Sequence, residues 1–182
     1  CDIEGDGIYE IICPNFDNLF VLSGADGSLE WESESGHFKT SHCIPVADVN
    51  NDGEMEFISG SPKNFIENGE LTRVWDEYTS IGRDWYSRPA IGDIDADGTL
   101  EIISIEDYSN DDKVYCQSAN NGTMEWSHSV GSEVSSSPSL VDTNRDGVLD
   151  VIFGASNNKI YCLSGESGNI LWNFTTTSDI HS

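Results

Sequence analysis

Four short loops of the sequence place oxygen-bearing side chains at alternate positions, which is the arrangement of a cation site. The loops begin at Asp2, Asp48, Asp93 and Asp142 and read DIEGDGIYEI, DVNNDGEMEF, DIDADGTLEI and DTNRDGVLDV. Each has oxygen donors at loop positions one, three, five and nine, and a glycine at position six that permits a sharp turn. Hard carboxylate and amide oxygens suit Ca²⁺ better than they suit metals that prefer sulfur.

The sequence therefore predicts up to four Ca²⁺ sites, one in each loop. The predicted ligands, with position seven giving its backbone carbonyl, are Asp2, Glu4, Asp6, Ile8, Glu10, Asp48, Asn50, Asp52, Glu54, Glu56, Asp93, Asp95, Asp97, Thr99, Glu101, Asp142, Asn144, Asp146, Val148 and Asp150. We expect the third loop to bind most tightly, because its four side-chain ligands are all acids. Arg145 crowds the fourth loop, and Glu4 is longer than the usual donor, which makes the first loop the weakest match.

A solvated turn and a helix–loop–helix calcium site both fit these loops less well. A single Asp/Gly-rich loop is often only a solvated turn, but four copies in phase disfavour that interpretation. A helix–loop–helix calcium site begins with the same pattern and needs a bidentate acid at position twelve. Position twelve here is Cys13, Ser59, Ser104 or Phe153, and each loop is followed by an apolar segment typical of a buried strand.

The overall charge agrees with a cation as the partner. The 182 residues include 33 acidic and 8 basic side chains, for a formal net charge of −25. Such a surface disfavours nucleic acid and anionic membranes as partners, because both select Lys and Arg. No apolar run is long enough to insert into a membrane, whereas the apolar and aromatic content predicts a folded chain. Cys1 fits either an acylated first residue or the cut end of a longer chain, and the repeats favour the second.

The spacing of the loops indicates a repeat architecture. They recur every 45 to 49 residues, which is about the length of a four-stranded propeller blade. A second motif lies between them: LFVLSGADGSLEW, VYCQSANNGTMEW and IYCLSGESGNILW each read as strand, turn and strand, with Gly four residues before Trp. The second repeat departs from this spacing, because Gly69 and Trp75 are six residues apart.

The loops resemble the FG-GAP/VCBS repeats of calcium-binding β-propellers, such as integrin α-chain heads, and the hairpins resemble quinoprotein-like (PQQ-type) propeller repeats. The resemblance implies an all-β propeller segment of about four blades, each of four antiparallel strands. It also implies Ca²⁺ between the first two strands of each blade and a Trp packed between neighbouring blades. One period then reads as strands at 137–141, 149–154, 159–163 and 169–174.

In this frame residues 1–182 form one propeller segment that is open at both ends. Open blade edges invite pairing, so we expect further blades of the same chain, or neighbouring copies, to continue the array. The predicted divisions are a blade without its inner strand at 1–41, blades at 42–86, 87–134 and 135–176, and the start of another repeat at 177–182.

Several residues outside the loops are also candidates for function. Asn121 and Asn173 lie in N-glycosylation triplets, the first in a predicted turn and the second in or beside a strand. A possible partner surface for a protein or glycan lies at 78–89, where aromatic residues and Arg resemble a hot spot, although Trp85 could equally pack between blades. Its residues are Tyr78, Arg83, Trp85 and Tyr86.

The five cysteines do not form a recognisable disulfide framework. Cys116 and Cys162 share one strand position and are expected to be buried, unpaired side chains. Cys43 could pair with Cys1 or with Cys13, joining adjacent blades.

The function expected from the sequence is a non-catalytic, Ca²⁺-binding module in adhesion, assembly or scaffolding. Such a module belongs in a secreted or cell-surface protein, with the periplasm as an alternative location. One competing hypothesis is a propeller domain of an extracellular polysaccharide-degrading enzyme. A quinoprotein-like dehydrogenase fits less well, because the adjacent Cys–Cys pair expected from that resemblance is absent. An intracellular halophile protein would scatter its acids, whereas many here are concentrated in four loops.

Overall fold

The computed structural model describes residues 2–3, 6–14, 18–32, 45–51, 53, 55–57, 64–67, 70–73, 88–106, 112–134, 136–178 and 180, with the backbone alone at 57, 64–67, 70–73 and 106. All regular secondary structure in these ranges is β-strand. The chain divides into two compact units, residues 1–78 and 79–182. Among the described residues there is no helix with the length and apolar character needed to cross a membrane.

The described residues of the first unit form seven short strands in antiparallel sheets. The first blade is a three-stranded sheet of β1 (Glu10–Pro14), β2 (Leu19–Ser23) and β3 (Leu29–Glu32) in that order. Two-stranded sheets follow, in which β4 (Val46–Ala47) pairs with β5 (Glu56–Phe57) and β6 (Asn64–Glu67) pairs with β7 (Glu70–Arg73). A small core forms around Ile3, Leu19 and Val21, with Ile12, Trp31 and Val46 packed against it.

The second unit contains two sheets of four antiparallel strands each. The third blade is β8 (Ala90–Gly92), β9 (Glu101–Glu106), β10 (Lys113–Ser118) and β11 (Met124–Ser129), paired in chain order. The fourth blade is β12 (Ser139–Val141), β13 (Asp150–Ala155), β14 (Lys159–Leu163) and β15 (Ile170–Thr175), again in chain order. These sheets confirm the all-β fold class and the blade of four antiparallel strands.

The core of the second unit lies between these two sheets. Alternate residues of a strand point to the same face, so each sheet contributes every second residue to the interface. The third blade contributes Ile103, Ile105, Val114, Cys116 and Trp126, and the fourth contributes Val151, Phe153, Ala155, Tyr161 and Leu163. The rings of Phe153 and Tyr161 are stacked with centroids 5.3 Å apart. Cys116 and Cys162 are both fully buried with free thiols, as predicted.

The predicted inter-blade role of Trp is confirmed at Trp126. Its indole Nε1–H donates to the carbonyl oxygen of Gly165 at 2.5 Å, and the ring lies over Gly168. A Cβ at Gly168 would come within 2.5 Å of the ring, so the absence of a side chain there makes the contact possible. The hairpin of the fourth blade therefore packs against Trp126 of the third blade.

Candidate metal centres

The third loop joins β8 to β9 and is held in shape by its own acids. Asp93 Oδ2 accepts the backbone N–H of Gly98 at 3.1 Å, which draws the loop into a ring. Gly98 has a φ of +90°, a conformation that favours glycine. Glu101 begins β9, is fully buried, and accepts the backbone N–H of Ile94 through Oε2 at 2.9 Å.

Three carboxylates of this loop converge on one point. Asp93, Asp95 and Glu101 each offer an oxygen, and these atoms lie within 4.8 Å of one another. Asp93 Oδ1 is buried and has no hydrogen-bond partner within the part of the chain that the structure describes. A buried acceptor without a partner is costly, and a cation among three carboxylates would satisfy it. The donor set and its orientation therefore fit Ca²⁺.

Hydrogen bonds fix the far side of the third loop. Asp97 Oδ1 accepts both the backbone N–H of Thr99 at 2.7 Å and its hydroxyl at 2.6 Å. These bonds, led by the hydroxyl, lower the pKa of Asp97. The Thr99 hydroxyl also lies 3.1 Å from Glu101 Oε1. Asp97 is thus held as a carboxylate at the rim of the cluster.

The electrostatics of the third loop show the cost of crowding acids. The pKa of Glu101 is raised to about 7, chiefly by burial and also by the negative charges of Glu125 and Asp95, against hydrogen bonds from Ile94 and Thr99 that lower it. A divalent cation would remove the penalty by placing positive charge where these carboxylates meet.

The first loop repeats this arrangement. Asp2, Asp6 and Glu10 bring carboxylate oxygens within 4.8 Å of one another, and Asp2 Oδ2 accepts the N–H of Gly7 at 3.0 Å. Asp2 Oδ1 is buried and, like its counterpart in the third loop, has no hydrogen-bond partner among the described residues. Asp6 Oδ1 accepts the N–H of Ile8 at 2.7 Å. Glu4 lies outside the described residues.

The second loop shows the same backbone frame in the residues that can be described. Asp48 Oδ2 accepts the N–H of Gly53 at 2.9 Å, and Glu56 Oε2 accepts the N–H of Val49 at 2.8 Å. Asn50 is exposed on the loop. The predicted ligands Asp52 and Glu54 lie outside the described residues.

The fourth loop is closed by its own hydrogen bonds. Asp142 Oδ1 accepts the N–H groups of Arg145 at 2.6 Å and Asp146 at 3.2 Å, whereas Asp93 Oδ1, at the same position, has no partner among the described residues. The amide Nδ2 of Asn144 donates to Asp146 Oδ2 at 2.7 Å.

Position nine of the fourth loop is also engaged. Asp150 Oδ2 accepts both the N–H and the hydroxyl of Thr143. Val148 donates its N–H to Asp146 at 2.9 Å. Within the described chain, the carboxylates that converge to metal-ligating distance are those of the first and third loops.

One recurring role of position nine was not predicted. In every loop the acid at this position accepts the backbone N–H of position two, and the pairs are Glu10–Ile3, Glu56–Val49, Glu101–Ile94 and Asp150–Thr143. The acid therefore ties the loop to the second strand of its blade and remains buried in all four copies. The invariant seven-residue separation within the repeats was the available sequence signal.

Glu125 is a further acid beside the third loop that the sequence did not single out. Its Oε2 lies 3.1 Å from Cys116 Sγ, as the acceptor of the thiol proton. Partial burial raises the pKa of Glu125, and the charges of Asp95 and Asp97 add to that shift. The carboxylate is therefore within electrostatic range of the loop.

The remaining predicted sites lie away from the loops. Asn121 is exposed in the turn between β10 and β11, and its Oδ1 accepts the N–H of Thr123 at 2.8 Å. Asn173 is exposed on β15. Cys13 has a free thiol. Outside the described residues lie Cys1, Cys43 and the predicted partner surface of Tyr78, Arg83, Trp85 and Tyr86.

Comparison with known proteins supports the fold and the repeat. Residues 93–153 match the model of the FG-GAP-like repeat. No curated protein sequence matches the chain. The structure is similar to the biofilm matrix protein Bap1 of V. cholerae, with a TM-score of 0.71 and 19% identity, covering 100% of this chain and 29% of that one.

Two further solved structures share the fold. Sqt1 of Saccharomyces cerevisiae has a TM-score of 0.63 at 15% identity, covering 93% of this chain and 48% of that one. BamB from Moraxella catarrhalis has a TM-score of 0.53 at 15% identity, covering 91% and 47%. The chain thus spans less than half of each of these proteins. The predicted resemblance to FG-GAP-like repeats is confirmed over residues 93–153, and the fold is that of a β-propeller segment.

Proposed function

We propose that this chain is a Ca²⁺-binding β-propeller module of a secreted or cell-surface protein that acts in adhesion, assembly or scaffolding and catalyses no reaction. One observation carries the calcium assignment. In the first and third loops, within the part of the chain that is described, the position-one aspartate has a buried, unpartnered oxygen and its carboxylate converges with two others. These oxygens come from Asp2 and Asp93.

The energetics of the loops favour an ion that binds the folded state. Unpaired carboxylates in a partly buried ring repel one another and lose hydration, which opposes folding. An ion that binds only the assembled ring stabilises the folded state in proportion to the logarithm of its concentration over Kd. Calcium binding energy therefore becomes folding energy for the blades that contain these loops.

An assembly role is supported by the exposed face of the fourth blade. Trp172 is 41% exposed and Phe174 is 61% exposed, whereas Trp126, at the equivalent position to Trp172, is 8% exposed between two blades. Exposed apolar faces of this kind are typical of interaction surfaces. We propose that further blades or a neighbouring copy cover this face. A biofilm matrix protein, Bap1, has the same fold, which agrees with an extracellular scaffold without establishing one.

Isothermal titration of the chelator-treated protein with CaCl₂ tests the calcium assignment. We expect binding at two or more sites, because two carboxylate clusters are formed, and much weaker binding of MgCl₂, which demands a smaller octahedral site. Asp93→Asn should weaken one site.

The matched control for this titration is Asp26→Asn. Asp26 is an exposed acid in a hairpin turn, and Asn can keep its contact with the N–H of Ser28. Absence of calcium binding by the unaltered protein would refute the assignment.

A further inference from the structure

In the first and third blades the hairpin is attached to the metal loop of its own blade. In the third blade Ala119 N–H donates to the carbonyl of Leu100 at 2.7 Å, and in the first Gly24 N–H donates to the carbonyl of Tyr9 at 2.8 Å. Leu100 and Tyr9 both hold loop position eight. The turn of the hairpin is therefore fixed against the end of the loop, next to the acid at position nine.

The hairpins of the first, third and fourth blades each contain a β-bulge. In the third blade Cys116 pairs with Trp126, but Gln117 pairs with Met124, which leaves Glu125 as the extra residue. The same shift makes Glu30 the extra residue in the first blade and Leu171 in the fourth. Bulges commonly redirect a side chain beside a functional site.

The redirected side chain of Glu125 is within electrostatic range of the third loop. The thiol of Cys116 is within hydrogen-bonding distance of its Oε2, and Cys116 is itself fully buried. The carboxylate interacts electrostatically with Asp95, Asp97 and Glu101. The negative charge of Glu125 repels the carboxylates of the metal-free loop. It would be favourable only with a cation present.

The type of residue at the bulge correlates with the arrangement of the carboxylates in the loop of the same blade. Where carboxylates converge, in the first and third blades, the bulge carries Glu30 and Glu125. Where the loop is closed by its own hydrogen bonds, in the fourth blade, the bulge carries Leu171. The bulge residue is therefore an acid in the first and third blades, the two blades whose loop carboxylates converge.

We propose that Glu125 is a further acidic residue of the third cation site. Its carboxylate strengthens the negative field at the ion and raises the affinity of the loop for calcium. The inference rests on the proposed calcium binding and adds a residue that lies outside the repeated loop motif.

The test is the variant Glu125→Gln, compared with Glu166→Gln. Glu166 is an exposed acid on the hairpin turn of the fourth blade, so both variants remove one negative charge from the protein. Calcium titrations at low ionic strength should show that Glu125→Gln weakens the tightest site about tenfold, because one nearby charge is lost, and that Glu166→Gln changes it little. In EDTA, Glu125→Gln should unfold at a slightly higher temperature than the unaltered protein, because a repulsion is removed.

Weaker calcium affinity together with higher stability in EDTA would show that the charge of Glu125 contributes to ion binding and not to the fold. Equal affinities for the two variants would overturn the inference and leave calcium binding itself intact. A joint loss of affinity and metal-free stability would show that Glu125 only supports the fold, which also overturns it. If the unaltered protein binds no calcium, the proposed function fails, and the inference fails with it.

Discussion

The contact between Trp126 and Gly168 makes a quantitative prediction about blade packing. In Gly168→Ala, the added Cβ would lie 2.5 Å from the Trp126 ring, and the residue would keep a φ of +67°. The left-handed backbone costs an alanine about 1 kcal/mol, and overpacking against a buried ring adds about 2 kcal/mol. We therefore expect the free energy of unfolding to fall by about 3 kcal/mol.

Gly131→Ala provides the control within the same unit. Gly131 has a φ of +73°, and no atom of the described residues lies within 4 Å of a Cβ placed there, so this variant should lose only the backbone contribution of about 1 kcal/mol. Urea unfolding followed by far-ultraviolet circular dichroism, in saturating calcium, measures both variants without relying on tryptophan emission. Equal losses for the two variants would refute the packing of Trp126 on the fourth-blade hairpin.

Three other predictions concern buried groups of the third and fourth blades. Trp126→Phe should cost about 2 kcal/mol in urea unfolding, because the buried carbonyl of Gly165 loses its donor; an unchanged midpoint would contradict this. Cys116 and Cys162 should resist thiol reagents until the protein unfolds, because burial raises the pKa of both thiols; rapid labelling in native buffer would refute it. In EDTA the free energy of unfolding should fall by roughly 3 kcal/mol as pH rises from about 4.5 to above 7, because the folded state binds the proton of Glu101 more tightly than the unfolded state. Glu101→Gln should reduce this fall. An equal fall in that variant would show that Glu101 is not the group responsible.

The strand order of a blade could be predicted from the sequence because it depends on local signals. Apolar segments after each loop and glycine turns before each Trp mark where strands begin and end. The strands predicted within 137–174 are present as β12–β15, and the burial of Cys162 follows from its position on β14. Trp126 lies between blades because the repeat places a hairpin glycine opposite it.

The differences between the loops could not be predicted because they depend on geometry within one motif. Arg145 was expected to crowd the fourth loop, but the sequence did not predict that its backbone N–H donates to Asp142 Oδ1. Thr143 adds a hydroxyl to the acid at position nine, where the other loops have Ile or Val. The role of Glu125 depends on a bulge, which appears only when the pairing of two strands is counted.

Thermal unfolding with and without calcium tests the calcium assignment most directly. The protein should be scanned in excess CaCl₂, in EDTA, and in EDTA followed by MgCl₂. At a calcium concentration about 1,000 times Kd, each occupied site adds about 4 kcal/mol, so two sites should separate the calcium and EDTA melting temperatures by about 10 °C or more. Magnesium should restore little of the difference. Identical melting temperatures in calcium and EDTA would contradict calcium binding by these loops.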